Sequence, residues 1–314
     1  MPDRRNDDVA FDVLGDVLET LRFRGTIFFR SELAAPWGIF LDPVGLPRFH
    51  IALSGSCYVG GDDFDDLEVR EMGIVMLPVD NSHWIADQPG RELVASARAG
   101  EACELNNPLF QQGKITNRIM CGIVHYDQDS PHPLLDSLPK ILSFPEFEPT
   151  EPIWITVTLI DAQMRSVNDR TRSIVDRLTE VLFLQLLNCY VERNQDATGF
   201  LAALRDRRVQ HALMLIHREP AFDWSLSLLG ERVGMSRATL VRHFKDTVGV
   251  APMTYILNWR LAKAYNLVKH TCMPLEQIAD NVGFASSRSL SKAFRRCYQL
   301  TPKELRNRLP DNQN

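Results

Sequence analysis

Nothing in these 314 residues is long and apolar enough to cross a bilayer as a helix. The longest apolar run, Val181 to Val191, is broken by Gln185 and Asn188, whereas a spanning helix needs about 20 such residues. The opening Met-Pro-Asp-Arg-Arg-Asn-Asp-Asp lacks the apolar stretch of a secretory signal, so a cytoplasmic location is expected. Cysteines 57, 103, 121, 189, 272 and 297 form no CxxC pair and no Cys–His spacing of a zinc finger. Most are expected to be reduced, buried, small apolar residues. GxSxG, HExxH and phosphate-loop patterns are missing, so no enzyme activity, resident metal or cofactor is expected.

The net charge of -5 hides a division. Residues 201–314 hold 18 Lys+Arg against 9 Asp+Glu, and residues 1–200 hold 17 against 31. A basic third beside an acidic remainder is the footprint of a nucleic-acid-binding module attached to something else. At this length two domains can each bury a core.

Residues 11–153 read as strands. Phe49–Leu53 runs into Ser54-Gly55-Ser56, Cys57–Val59 precedes Gly60-Gly61-Asp62-Asp63, and Gly73–Leu77 stops at Pro78. Such short runs between turn residues predict an antiparallel sandwich or barrel. The proline-rich stretch 130–152 predicts loop, with one short helix around Leu134–Leu142. From about 156 the pattern turns helical. Ile174, Leu178, Val181, Leu182 and Cys189 share one face, while Phe183, Leu186, Leu187 and Tyr190 cover another. A helix apolar on two faces is buried on both, either within one subunit or against a second copy. Asn194–Gly199 is polar and small, as a linker is.

Beyond it, seven short helices are expected near 206–218, 226–233, 236–247, 253–270, 274–282, 286–297 and 302–309. Pro220 follows the first, Gly234 and Gly283 mark two turns, and Pro252, Pro274 and Pro302 open later helices. The same helix-turn-helix pattern occurs twice. Val233-Gly234 corresponds to Val282-Gly283 at an offset of 49, and Leu240, Phe244 and Pro252 correspond to Leu290, Phe294 and Pro302 at an offset of 50. One residue is therefore inserted in the second turn.

The second helix of each pair is the candidate DNA reader. Ser236 caps the first, and Ser286 or Ser287 the second. Leu240 with Phe244, and Leu290 with Phe294, bury one face. Arg237, Ala238, Val241, Arg242 and Lys245 then face outward in the first reader. Ser287, Arg288, Ser291, Lys292 and Arg295 do so in the second. Arg and Lys donate to guanine, Ser donates or accepts, and Ala or Val touches a thymine methyl. Any one of these cations could instead meet a phosphate. A linking helix over 253–270 would be about 27 Å long. That length places two readers near one DNA turn apart, roughly 34 Å, on one face.

This arrangement resembles the AraC/XylS family of transcription regulators over about 206–309. Its strongest marks are Ile278-Ala279, Val282-Gly283-Phe284, Ser291, Ala293-Phe294 and Thr301-Pro302. Three positions depart from the family pattern. Gly230 replaces Ala, at a cost of roughly 1 kcal/mol in helix propensity. Leu290 stands where Phe is common, and Gln299 replaces the glycine seen as Gly249, so a left-handed cap there would be strained.

Residues 11–153 resemble the cupin-type ligand domain of some members through Trp37, Phe49-His50, Gly55, Gly73, Pro78, His83, Cys121-Gly122, His132-Pro-Leu-Leu and Leu138-Pro139. The double-histidine metal motif of enzymatic cupins is missing. Arg48 and His50 alternate with Phe49 and point to one side of their strand. If that side faces the interior, Arg48, His50 and His83 form a polar cluster in an apolar cavity. Three readings stand open: a small-molecule pocket, a metal held by His50, His83 and Cys121, and a filled structural barrel. An interior Arg favours a carboxylate or another anion.

The resemblance implies a multidomain α and β chain. It has a flexible N-terminus (1–10), a cupin-like β-barrel that senses a ligand (11–153), a helical linker and dimerisation segment (154–200) and an all-α tandem helix-turn-helix domain (201–310, units at about 226–247 and 274–297). The expected function is sequence-specific transcription regulation, as an activator. Double-stranded promoter or operator DNA, a small-molecule effector, a second copy of the chain and RNA polymerase are the expected partners, and no membrane. The alternatives are a cupin-type metal oxygenase fused to a DNA-binding domain and a ligand-independent dimeric regulator.

Overall fold

The strands are short because turn residues interrupt them, and at Gly55 the interruption is obligatory. Gly55 sits at φ +71° between two strands, and a Cβ there would lie 2.2 Å from the carbonyl oxygen of Thr116. In this computed structural model residues 11–79, 81–104, 108–129, 132–166, 171–194 and 198–308 are described. The stretch expected to be flexible, 1–10, lies outside the described residues.

The strands are β1 (Arg24–Leu33), β2 (Gly38–Leu41), β3 (Arg48–Ser54), β4 (Cys57–Gly61), β5 (Phe64–Val69), β6 (Ile74–Leu77), β7 (His83–Ala86), β8 (Val94–Ala95), β9 (Asn117–His125) and β10 (Leu142–Phe144). They form two sheets, ordered β1-β9-β3-β6-β10 and β5-β4-β7-β2-β8. Leu33, Ala52, Val75 and Ile119 of the first sheet share one core with Ile39, Val59, Val69 and Ile85 of the second. The expected barrel is therefore corrected to a two-sheet sandwich, because among the described residues no ladder joins an edge of one sheet to an edge of the other. Closure requires every edge to be paired, and the edge strands β8 and β10 are only 2 and 3 residues long.

The helices are α1 (Val13–Thr20), α2 (Ser96–Glu104), α3 (Pro133–Asp136), α4 (Pro152–Arg165), α5 (Arg172–Arg193), α6 (Gly199–Ala203), α7 (Arg207–Arg218), α8 (Leu226–Arg232), α9 (Arg237–Val248), α10 (Pro252–His270), α11 (Leu275–Val282), α12 (Ser287–Tyr298) and α13 (Pro302–Arg308). α1 was not expected among strands; the Asp12 carboxylate caps it by accepting from the amide of Gly15 at 2.9 Å. The short helix expected around Leu134–Leu142 is α3, and Leu142 itself opens β10. In α5, Leu182, Phe183, Leu186 and Leu187 are buried, whereas Ile174 and Val181 remain 47% and 45% exposed.

The chain divides into two compact units. One holds Phe23–Tyr126 and Leu138–Tyr190, with strands β1 to β10. The other holds the segment ending at Arg22, Asp127–Ser137 and everything from Val191 onward. Side chains explain why α1 and Asp127–Ser137 go with the helical unit. Asp16 meets Nδ1 of His217 at 2.8 Å and Nζ of Lys263 at 2.9 Å. Asn266 donates to the carbonyl of Thr20, Tyr265 to Asp129 and Lys269 to Asp127, at 2.7–2.8 Å. These partners lie on α7 and α10, so both segments fasten to the helices that carry the helix-turn-helix units.

Candidate DNA-reading surface and ligand cavity

Each helix-turn-helix unit is built on a glycine that only a residue free of a Cβ adopts easily. Gly234 ends the α8 turn at φ +67°, and Gly283 ends α11 at φ +80°. The Ser236 hydroxyl accepts from the amide of Thr239, and that of Ser286 accepts from the amide of Ser289, both at 3.2 Å. The Ser286 amide in turn donates to the Ser289 hydroxyl, completing a capping box. The cap of the second reader is thus Ser286; the Ser287 hydroxyl donates instead to Glu276 at 2.9 Å.

Leu240, Phe244, Leu290 and Phe294 are fully buried. α10 supports both readers with one ring each: Tyr255 meets Phe244 edge-on at 5.7 Å, and Tyr265 stacks on Phe294 at 5.9 Å. What remains outward is cationic. Arg237, Ala238, Arg242, Lys245, Arg288, Lys292 and Arg295 are exposed, while Val241, Ser287 and Ser291 are half-buried. No salt bridge among the described residues involves Arg237, Arg242, Lys245, Arg288 or Lys292. These guanidinium and ammonium groups keep their donors for an external acceptor.

The strand-bearing unit contains a cavity of about 460 Å³ walled by Phe28, Phe29, Ile39, Leu41, Ile85 and Ile123. Its polar lining includes Asp42, Arg48, Ser96 and Cys121. Arg48 donates to the carbonyl of Asp42 across the cavity wall. His50 and His83 do not line the cavity; they lie buried in the sandwich behind Cys121 and tie the sheets together. His50 Nδ1 is 2.9 Å from the Cys121 sulfur, His50 Nε2 is 2.8 Å from His83 Nε2, and His83 Nδ1 is 2.9 Å from the carbonyl of Asn81.

The carbonyl fixes the tautomers, because it only accepts. With His83 neutral, that ring donates from Nδ1 and accepts at Nε2, so His50 donates from Nε2 and accepts at Nδ1, and the thiol of Cys121 donates to it. Burial holds His50 well below the usual histidine range, with His83 and Arg48 adding to it. Burial also holds the Cys121 thiol well above its ordinary value, aided by Cys57 and opposed by Arg48. His50 meets Cys121 and His83 with opposite edges of its ring, so the three donors do not converge on one point as metal ligands must. Among the described residues no group of three or more His, Cys, Asp or Glu is placed to hold a metal ion.

The family model for cupin matches residues 12–192, and that for a helix-turn-helix domain matches residues 229–308. A Streptomyces antibioticus protein named as an AraC-like transcription regulator is 28% identical, over 94% of this chain and 98% of its own length. An HTH-type transcriptional regulator of Haemophilus influenzae is 27% identical over the same shares. The solved structure of ToxT from Vibrio cholerae O395 is 13% identical, covers 92% of this chain and 98% of that one, and has a TM-score of 0.37. This chain is a cupin-bearing AraC-like transcription regulator.

Two departures from the AraC pattern now have structural accounts. Gly230 faces the carbonyl oxygen of Met235, which a Cβ would approach to 2.6 Å. Gln299 does adopt the left-handed cap, at φ +58°. Its side-chain amide donates to the carbonyl of Arg296 at 3.2 Å, which offsets part of the strain.

Sequence reasoning did not find the buried relay of the helical unit. The Leu134 amide donates to His132 Nδ1 at 3.1 Å, His132 Nε2 lies 3.3 Å from the Tyr255 hydroxyl, and that hydroxyl is 2.7 Å from His217 Nε2. His217 then reaches Asp16. Bonded neighbours in it are up to 201 residues apart in the chain, so no local spacing announces it.

Proposed function

We propose that this AraC-like regulator reads two neighbouring half-elements of double-stranded promoter DNA, one with α9 and one with α12, under control of a small molecule in the cavity. The observation that carries the reading is the pair of capped helices, each buried through Leu and Phe and each presenting outward cations that make no salt bridge among the described residues. Arg237, Arg242 and Lys245 of α9, and Arg288, Lys292 and Arg295 of α12, are the base and phosphate contacts, with Ala238, Val241, Ser287 and Ser291 filling between them.

The effector is an apolar molecule bearing an anionic group. Aromatic and aliphatic walls supply the burial, and Arg48 supplies the one buried cation of the lining. His50 and His83 act behind that site, holding Cys121 and the two sheets in place. The chain acts without catalysis in the cytoplasm, contacts RNA polymerase when bound to DNA, and pairs with a second copy through the outward faces of α4 and α5. Ile155 and Leu159 on α4, and Ile174 and Val181 on α5, are about half exposed there.

The sensing half is tested by titrating full-length protein on operator DNA with a series of medium-chain carboxylic acids and the matching alcohols. Acids should shift DNA binding more than alcohols do, and Arg48→Met should remove that difference while sparing ligand-free binding. An Arg48→Met chain that still separates acids from alcohols would refute the assignment.

A further inference from the structure

Arg260, near the middle of α10, directs its guanidinium at backbone carbonyls. Nε donates to Pro220 at 2.7 Å, Nη2 to Phe222 at 2.7 Å and Nη1 to Gly283 at 2.9 Å. The first two carbonyls belong to the connection between α7 and α8, which leads into the first helix-turn-helix unit. The third belongs to the turn of the second unit. The same two pieces also touch directly, since a Cβ on Gly283 would fall 2.7 Å from Ala221 Cα and 2.8 Å from its oxygen. The connection is itself stiffened: Trp224 donates to the carbonyl of Glu219 at 3.0 Å and packs on Phe222 at 4.6 Å.

We propose that Arg260 sets the spacing of the operator. By pinning the entry to α8 and the α11–α12 turn to one planar fork, it fixes the offset between α9 and α12. It is a positioning residue and acts on DNA only through the two readers, so the proposal rests on both helices reading DNA. The fork explains why the residue is arginine. Its rigid, spread donors reach three separate carbonyls at once, which the compact ammonium of lysine does not. One extra base pair between half-elements moves the second by about 3.4 Å along the axis and about 35° around it. Readers pinned to each other cannot follow that displacement, and readers joined by α10 alone can.

The test uses the full chain, with the operator selected by the wild type and derivatives carrying one base pair more or one fewer between half-elements. The wild type should lose on the order of a hundredfold in affinity on either change, comparable to losing one or two base contacts. Arg260→Met should lose about tenfold less, with base preference inside each half-element unchanged and Arg260→Lys falling between. Circular dichroism establishes that each variant is folded. If Arg260→Met does not fold, Arg260→Lys decides by the same criterion. A folded variant that weakens equally at every spacing would overturn the proposal and leave Arg260 a stabilising residue only. A wild type indifferent to spacing would refute the two-reader arrangement itself, and the proposal with it.

Discussion

Gly230 and Ala279 occupy matching positions in the two helix-turn-helix units, yet only one can carry a methyl group. Met235 folds back with its amide on the carbonyl of Gly230 at 2.8 Å, and the turn that follows is one residue shorter than in the second unit. The Met235 carbonyl then occupies the space where a Cβ would project. In the second unit the corresponding bond comes from Phe284 to Ala279, also at 2.8 Å, and Ala285 adds the residue that relaxes the turn. Helix propensity alone would make Gly230→Ala stabilising by about 1 kcal/mol. The close approach predicts the opposite sign, a lower urea midpoint, and a raised midpoint would contradict this account of the turn.

The buried histidines predict a second residue-scale effect. Burial holds His132 well below its ordinary value, with His217 adding to it. Burial also lowers His217, although the bond to Asp16 works against it. Asp16 is pushed up by burial, but the bonds from His217 and Lys263 outweigh this and leave it lowered, so it stays ionised while the imidazoles titrate. As pH falls below about 6.5 the unfolded chain takes up protons at these imidazoles more readily than the folded chain does. Stability is therefore full above that pH and declines on acidification, by at most about 1.4 kcal/mol per pH unit for each imidazole. Thermal melts between pH 7.5 and 5.5 should show the decline, and His217→Gln should make it shallower. Identical slopes for variant and wild type would show that His217 is not one of the titrating groups.

At the scale of elements, the C-terminal helices were legible because periodicity and punctuation agree there. Pro252 and Pro302 open α10 and α13, Gly283 closes α11, and Leu240 with Phe244 marks one face. β3 was harder to read in full. Arg48, Phe49, His50, Ile51 and Ala52 are all buried, so its two faces do not alternate between apolar and polar. α5 shows where pattern misassigns a face. Its two apolar stripes look equivalent in sequence, but Leu186 and Leu187 are already buried in the single chain, and glutamate there would disrupt folding. The stripe left outward runs through Ile174, Leu178 and Val181. Ile174→Glu combined with Val181→Glu should give a folded monomer in sedimentation at micromolar concentration if the outward faces pair. A double variant that sediments as the wild type does would place self-association elsewhere.

At the scale of the whole molecule, the chain passes from one unit to the other after Arg22, Tyr126, Ser137 and Tyr190. A sequence is read in order, so ranges such as 11–153 and 201–310 treat each domain as one continuous piece. The contacts that draw α1 and Asp127–Ser137 to α10 join residues more than 100 positions apart, and only the folded chain reveals them. The duplicated units escaped this difficulty because each is local, and their copies report on each other. That duplication carries the central claim, and Arg242 and Lys292 test it most directly. They occupy the same slot in α9 and α12, six residues beyond the capping Ser236 and Ser286. Binding-site selection should be run with Arg242→Ala and Lys292→Ala at two salt concentrations. The account predicts that each variant loses about 1–3 kcal/mol and relaxes sequence preference. The two losses should fall in different half-elements about one helical turn apart. Uniform weakening on all sequences, with the salt dependence flattened by about one charge, would contradict it and leave both residues as phosphate contacts.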